Sequence, residues 1–184
     1  MRRTEFTDGI WSQKGFTVTE LVMVMAVMAV LIAIAAPTMT RYQRQSRLKE
    51  AARSVEGDFD MIRNTARARQ ERNIVALVTA NRIFSFVDAN GNQAFDAGEQ
   101  NILDDQLTGG VTLAITSTTP GAAVPFSTVP FNALGNIRDN TNRVVTVTMN
   151  TEPYRQFQVT VFSTGSTRVM RSEDGGATWP IRAW

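Results

Sequence analysis

The chain has 184 residues, 20% of them charged, and a formal net charge of only +2. That balance excludes attachment to nucleic acid by bulk charge, while leaving room for a local basic patch. Cysteine and histidine are both absent. This removes disulfide frameworks, zinc–thiolate sites and thiol nucleophiles, along with the commonest general base and metal ligand, so no enzyme is expected.

Taken in chain order, the first feature is Lys14 to Pro37, KGFTVTELVMVMAVMAVLIAIAAP. Leu21 to Ala36 is an unbroken run of 16 apolar residues. Counted from Phe16, the segment would be a helix of roughly 31 Å, matching a bilayer core of about 30 Å. The residues admit three readings. One is a cleaved secretory signal, with Arg2, Arg3 and Lys14 as its basic region and Ala33-Ile34-Ala35 as its cut site. Another is a simple signal anchor. The third is a leader cut before the apolar run. Glu20, just inside the leading edge, bears on the choice: a carboxylate in hydrocarbon costs several kcal/mol and needs a partner and a role. No partner for it is obvious in the uncut sequence. The flanking charges do not set an orientation, because Arg41, Arg44, Arg47 and Lys49 balance the other end.

Lys14-Gly15-Phe16-Thr17-Val18-Thr19-Glu20 resembles the type III signal of type IV pilins and type II secretion pseudopilins. The resemblance implies that prepilin peptidase recognises Lys14, cuts after Gly15 and methylates the new amine of Phe16. It also implies that Glu20 pairs with the N-terminal amine of a neighbouring subunit in a filament. Buried charge of this kind sets registry better than it adds stability, since a misaligned neighbour leaves it unpaired. The remaining alternative is that Glu20 sits in water at the membrane interface.

Pro37 lacks an amide hydrogen and is expected to bend the helix there. Beyond it, Met39, Tyr42, Leu48, Ala52, Val55, Phe59, Ile62 and Ala66 recur at three- and four-residue steps, which predicts one apolar helical face running to about Arg72. Arg41, Arg44, Arg47, Arg53, Arg63, Arg67 and Arg72 occupy the remainder, either as a solvated face or as a surface for lipid headgroups or DNA. Gly57 weakens the middle.

After Arg72 the period becomes two. Strands are predicted at 74–79, 83–87, 111–116, 143–149, 156–162 and 167–171, with Ser117 to Pro130 as the longest turn-rich connection. A long helix against such strands predicts an α+β head. Asp88, Asn90, Asn92, Asp96 and Glu99 stand at positions 1, 3, 5, 9 and 12 of a calcium-loop template. Gln93 replaces the glycine of that template, and Asp, Asn and Gly equally make plain turns. Ser172-Glu173-Asp174-Gly175-Gly176-Ala177-Thr178-Trp179 matches a single Asp-box, read as a last hairpin with Trp179 beneath the turn and Trp184 near its end. A sialidase or lectin would need repeated boxes.

Phe131-Asn132-Ala133-Leu134-Gly135, the Phe84–Asn92 hairpin and Ser163-Thr164-Gly165 resemble segments of the GspH/FimT group of pilin-like proteins. This implies a type IV pilin-like α+β fold divided into a cleaved leader (1–15), a transmembrane or filament-core helix (16–36), an amphipathic continuation (37–72) and a β-rich head (73–184). The implied function is a minor pilin or pseudopilin, single-pass in the inner membrane with its head in the periplasm. Its implied partners are other pilins and membrane lipid, and its implied role is protein secretion. The alternative is DNA capture. FimT-like proteins that bind DNA carry Gly-Arg-x-Arg, whereas here Gly165 is followed by Arg168 and Arg171, whose spacing sends them to opposite sheet faces.

Overall fold

The computed structural model describes residues 15–70, 73–117, 127–179 and 181–182; Lys14, Arg72 and Trp184 fall outside them. Two units divide the chain, residues 1–41 and 42–184. Helix α1 spans Val18–Arg69 and includes Pro37 in its interior. The ring has no amide hydrogen for the Ala33 carbonyl one turn earlier; nearby, Thr38 Oγ1 donates to Ala35 O at 2.7 Å and Thr40 Oγ1 to Pro37 O at 3.0 Å. The helix stops three residues before the predicted Arg72. Gln70 adopts φ 53°, the left-handed turn that closes helix ends.

In the first unit the apolar segment of α1 is exposed along its whole length, and it is long and apolar enough to cross a membrane. In the second unit Leu48, Ala52, Val55, Phe59, Ile62 and Ala66 are fully buried. They fill the core with residues from two antiparallel sheets. The first sheet has the order β3-β2-β1-β5, built from β1 (Ile74–Val78), β2 (Arg82–Val87), β3 (Asn101–Gln106) and β5 (Thr128–Phe131). The second has the order β4-β6-β7-β8-β9, built from β4 (Val111–Ser117), β6 (Arg143–Met149), β7 (Gln156–Val161), β8 (Thr167–Ser172) and β9 (Ile181–Arg182).

The six predicted strands are present within a residue of their expected ends, and β3, β5 and β9 are additions. β5 occupies part of the stretch read as a connection. Its Pro130 argues against a central strand, but β5 lies at a sheet edge, where a missing amide costs little. β3 carries Asp104 and Asp105, charges that suit an edge and mask a strand pattern.

The first sheet is buried on both faces. Ile74, Ala76 and Ile83 join the helix-side core, while Val75, Phe84 and Phe86 form a second cluster. Phe95 folds onto the latter, its ring centroid 4.9 Å from Phe84 and 5.3 Å from Phe86. The sheets are tied by Arg143, 1% exposed, whose Nε donates to Thr128 O and Nη1 to Thr141 O, both at 3.3 Å, and whose Nη2 pairs with Asp139.

Candidate functional site

Glu20 sits in the first turn of α1 and has a partner within its own chain. Its Oε2 accepts from Thr17 N and Thr17 Oγ1, each at 2.9 Å, and Thr17 Oγ1 accepts from Glu20 N at 3.2 Å. This is a reciprocal capping box, which satisfies amides left unpaired at a helix start and sets a carboxylate at the positive end of the helix dipole. The sequence reading missed it, although Thr17-Val-Thr-Glu20 before an apolar run is its signal. Were the chain cut after Gly15, Thr17 would be the second residue of the mature chain and the new amine would lie one residue from the cap. Phe16, Glu20, Met23, Val24 and Val27 lie at helical spacing and line one shallow groove of this helix.

In the head, the loops resembling the GspH/FimT group meet each other. Gly135 and Gly165 both have φ 74°, a backbone region costly to residues with a Cβ. A Cβ on Gly165 would lie 1.8 Å from Gly135 O, and one on Gly135 would lie 2.8 Å from Arg67 Cγ and 2.9 Å from Arg63 Cγ. Both glycines therefore serve close approach: one loop seats on arginine stems of α1 and the other crosses it.

The five calcium-template residues come together as a hydrogen-bonded turn. Asp88, 1% exposed, accepts from the amides of Gly91 at 2.7 Å and of Asn92 and Gln93 at 3.1 Å. Asp96 Oδ2 accepts from Asn90 Nδ2 at 2.6 Å and Asn92 Nδ2 at 2.7 Å. Glu99 accepts from the amides of Ala89 at 2.9 Å and Asp96 at 3.0 Å. Among the described residues, no group of three or more acidic side chains is arranged to hold a metal ion.

The Asp-box residues build the turn between β8 and β9. Asp174 accepts from Ser172 Oγ and Thr178 Oγ1, both at 2.5 Å, and from Thr178 N at 3.0 Å. These bonds, that from Ser172 first, hold its carboxyl well below the usual range. Arg168 is exposed and lies over the Phe162 ring at 5.8 Å. Arg171 is two residues beyond the core residue Val169, on its face of β8. The two arginines do not form one patch.

A carboxyl pair went unread in the sequence. Asp58 on α1 is hydrogen-bonded to Asp105 on β3, whose Oδ2 also accepts from Ser54 Oγ at 2.9 Å. Burial, then the charge of Asp105, then their shared hydrogen bond push Asp58 up to about 7.

Residues 51–165 match the family model described as type II transport protein GspH, and residues 12–36 match the prokaryotic N-terminal methylation motif. The fold is similar to a crystal structure of the type IV minor pilin FimU of Pseudomonas aeruginosa, with TM-score 0.52 and 16% identity over 78% of this chain and 99% of that one. A second crystal form of FimU gives TM-score 0.47 and 15% identity over 73% and 98%. No curated protein matches the sequence significantly.

Proposed function

Because this chain belongs to the family of type II transport protein GspH and carries the N-terminal methylation motif, we propose that it is a subunit of a type II secretion pseudopilus, serving protein secretion. Members of this group are structural subunits, so the work is assembly rather than catalysis.

In this reading the precursor sits in the inner membrane with its head in the periplasm. Prepilin peptidase cuts after Gly15 and methylates Phe16. The apolar part of α1 then exchanges lipid for the helices of neighbouring subunits. The observation that carries the reading is Glu20, a carboxylate oriented by Thr17 at the head of an otherwise bare apolar helix. While the subunit stands alone, Thr17 and the local dipole offset part of the cost of that charge. In a filament the amine of an adjacent Phe16 becomes its partner, and a subunit out of register leaves the carboxylate unpaired.

Mass spectrometry of the membrane form tests processing: the expected mature chain begins with N-methyl phenylalanine at position 16. Glu20→Ala is expected to be processed normally but excluded from crosslinked filaments, with secretion of a reporter substrate falling alongside. A chain that retains its first 15 residues, or a Glu20→Ala variant that assembles as well as the parent, overturns the reading.

A further inference from the structure

Within the head, the stretch of α1 from Tyr42 to Arg53 and the β7–β8 pair enclose a cleft of about 310 Å³. Phe157 and Arg171 are cross-strand partners, which puts their side chains on the same sheet face. Leu48 and Phe157, both buried, supply apolar lining, and Lys49, Arg53, Arg155 and Arg171 supply four cationic groups. Glu50 is the carboxylate lining the cleft, and it accepts from Ser46 Oγ at 3.0 Å. Arg171 Nη2 donates to Glu173 at 3.1 Å, but its Nε is buried with no acceptor. A buried donor in that condition calls for an explanation, and an anionic acceptor is one.

We propose that this cleft binds the phosphate of an acidic phospholipid headgroup. Guanidinium forks match phosphate oxygens in pairs, and several cations around one recess accept a group that a single surface lysine would not hold. The lining favours an amphiphile over a fully hydrated ion, because the exposed ring of Tyr42 gives the glycerol carbons a surface to cover. In the sequence, Tyr42 comes six residues after Ala36, the end of the apolar run, and basic groups next to a membrane segment attract anionic lipid. The bound lipid would fasten the first turns of the head to the membrane before assembly, and it would have to leave when the subunit enters a filament. The inference rests on the membrane-anchored reading above.

Native mass spectrometry of the full chain extracted in detergent tests it, since one spectrum reports both the processed N-terminus and retained lipid. With phosphatidylglycerol and phosphatidylcholine supplied equally, one phosphatidylglycerol per chain is expected to persist, at least tenfold over phosphatidylcholine. Arg155→Gln with Arg171→Gln should lower retention at least tenfold. Lys49→Gln, on the helix side of the cleft, should lower it severalfold without disturbing the sheet, and thermal melting verifies that each variant is folded. Arg82→Gln, outside the cleft, should retain lipid like the parent. Equal retention of the two lipids, or unchanged retention in the folded cleft variants, overturns the proposal. So does displacement of phosphatidylglycerol by equimolar inorganic phosphate or by a short DNA duplex. A wrong N-terminal mass with selective lipid retention would overturn the processing scheme and leave the cleft assignment standing.

Discussion

Gly165→Ala measures how closely the two glycine loops of the head are packed. Its Cβ would meet Gly135 O at 1.8 Å, so one backbone must retreat by about 1.2 Å to reach even the shortest tolerated contact. No rotamer relieves a clash with a carbonyl, and Gly135 is itself seated against Arg63 and Arg67. The left-handed φ of 74° adds roughly 1–2 kcal/mol for a residue with a Cβ. Overpacking adds about 1–3 kcal/mol. Together they predict a loss of about 2–5 kcal/mol, a large share of the roughly 5–15 kcal/mol that holds a domain folded. At about 2–4 °C per kcal/mol for a unit of this size, melting should fall by about 4–20 °C. Gly57→Ala is the matched control. Gly57 is exposed on α1 with nothing within 4 Å of an added Cβ, so alanine should stabilise by about 0.5–1 kcal/mol. Circular dichroism melting of the two variants in detergent reads both signs. A Gly165→Ala chain melting within 2 °C of the parent, a limit set below the roughly 4 °C lower bound, would refute the contact argument.

Three further outcomes are expected. Asp58 binds a proton more tightly folded than unfolded, because its carboxyl is pushed up to about 7. Its contribution is therefore greatest below the ordinary carboxyl range and is lost as pH rises through about 7. Asp58→Asn should remove that decline from urea midpoints measured against pH, and a parent-minus-variant difference that grows with pH contradicts it. Arg143→Met leaves Asp139 and two carbonyls without their donor and should cost about 3–5 kcal/mol in urea unfolding. Adding Asp139→Asn should return part of the loss, and strict additivity would show that the pair is not coupled. Calcium titrated calorimetrically into the Asp88–Glu99 turn should give no heat at millimolar concentration, since Asp88 would have to release three backbone donors. Measurable heat abolished by Asp88→Ala would instead make the turn a cation site.

The α+β architecture and the signal around Glu20 were legible because they rest on local pattern: a bare apolar run, a three-to-four repeat, then alternation. Thr17 as the cap of Glu20 is equally local, a Thr-x-x-Glu pattern at the start of an apolar run. β3 and β5 were hidden by Asp104, Asp105 and Pro130, residues that argue against strands in general and are acceptable at sheet edges. The Asp58–Asp105 pair, the Arg143 clasp and the cleft around Arg171 depend on register between segments distant in the chain, such as Phe157 opposite Arg171. No periodicity within a single segment encodes that.

The margins of the two sheets bear on how a polymer of such subunits keeps its order. β3 offers carboxylates, β5 interrupts its amide row with Pro130, and among the described residues β9 is the two-residue Ile181–Arg182. On β4 the amide of Leu113 is already spent on Ala80 O at 2.7 Å. Each of these features works against strand-to-strand pairing between heads crowded side by side. Contact between heads would then fall to side-chain surfaces instead of a shared strand ladder, which is the pairing that leads to amyloid-like aggregation.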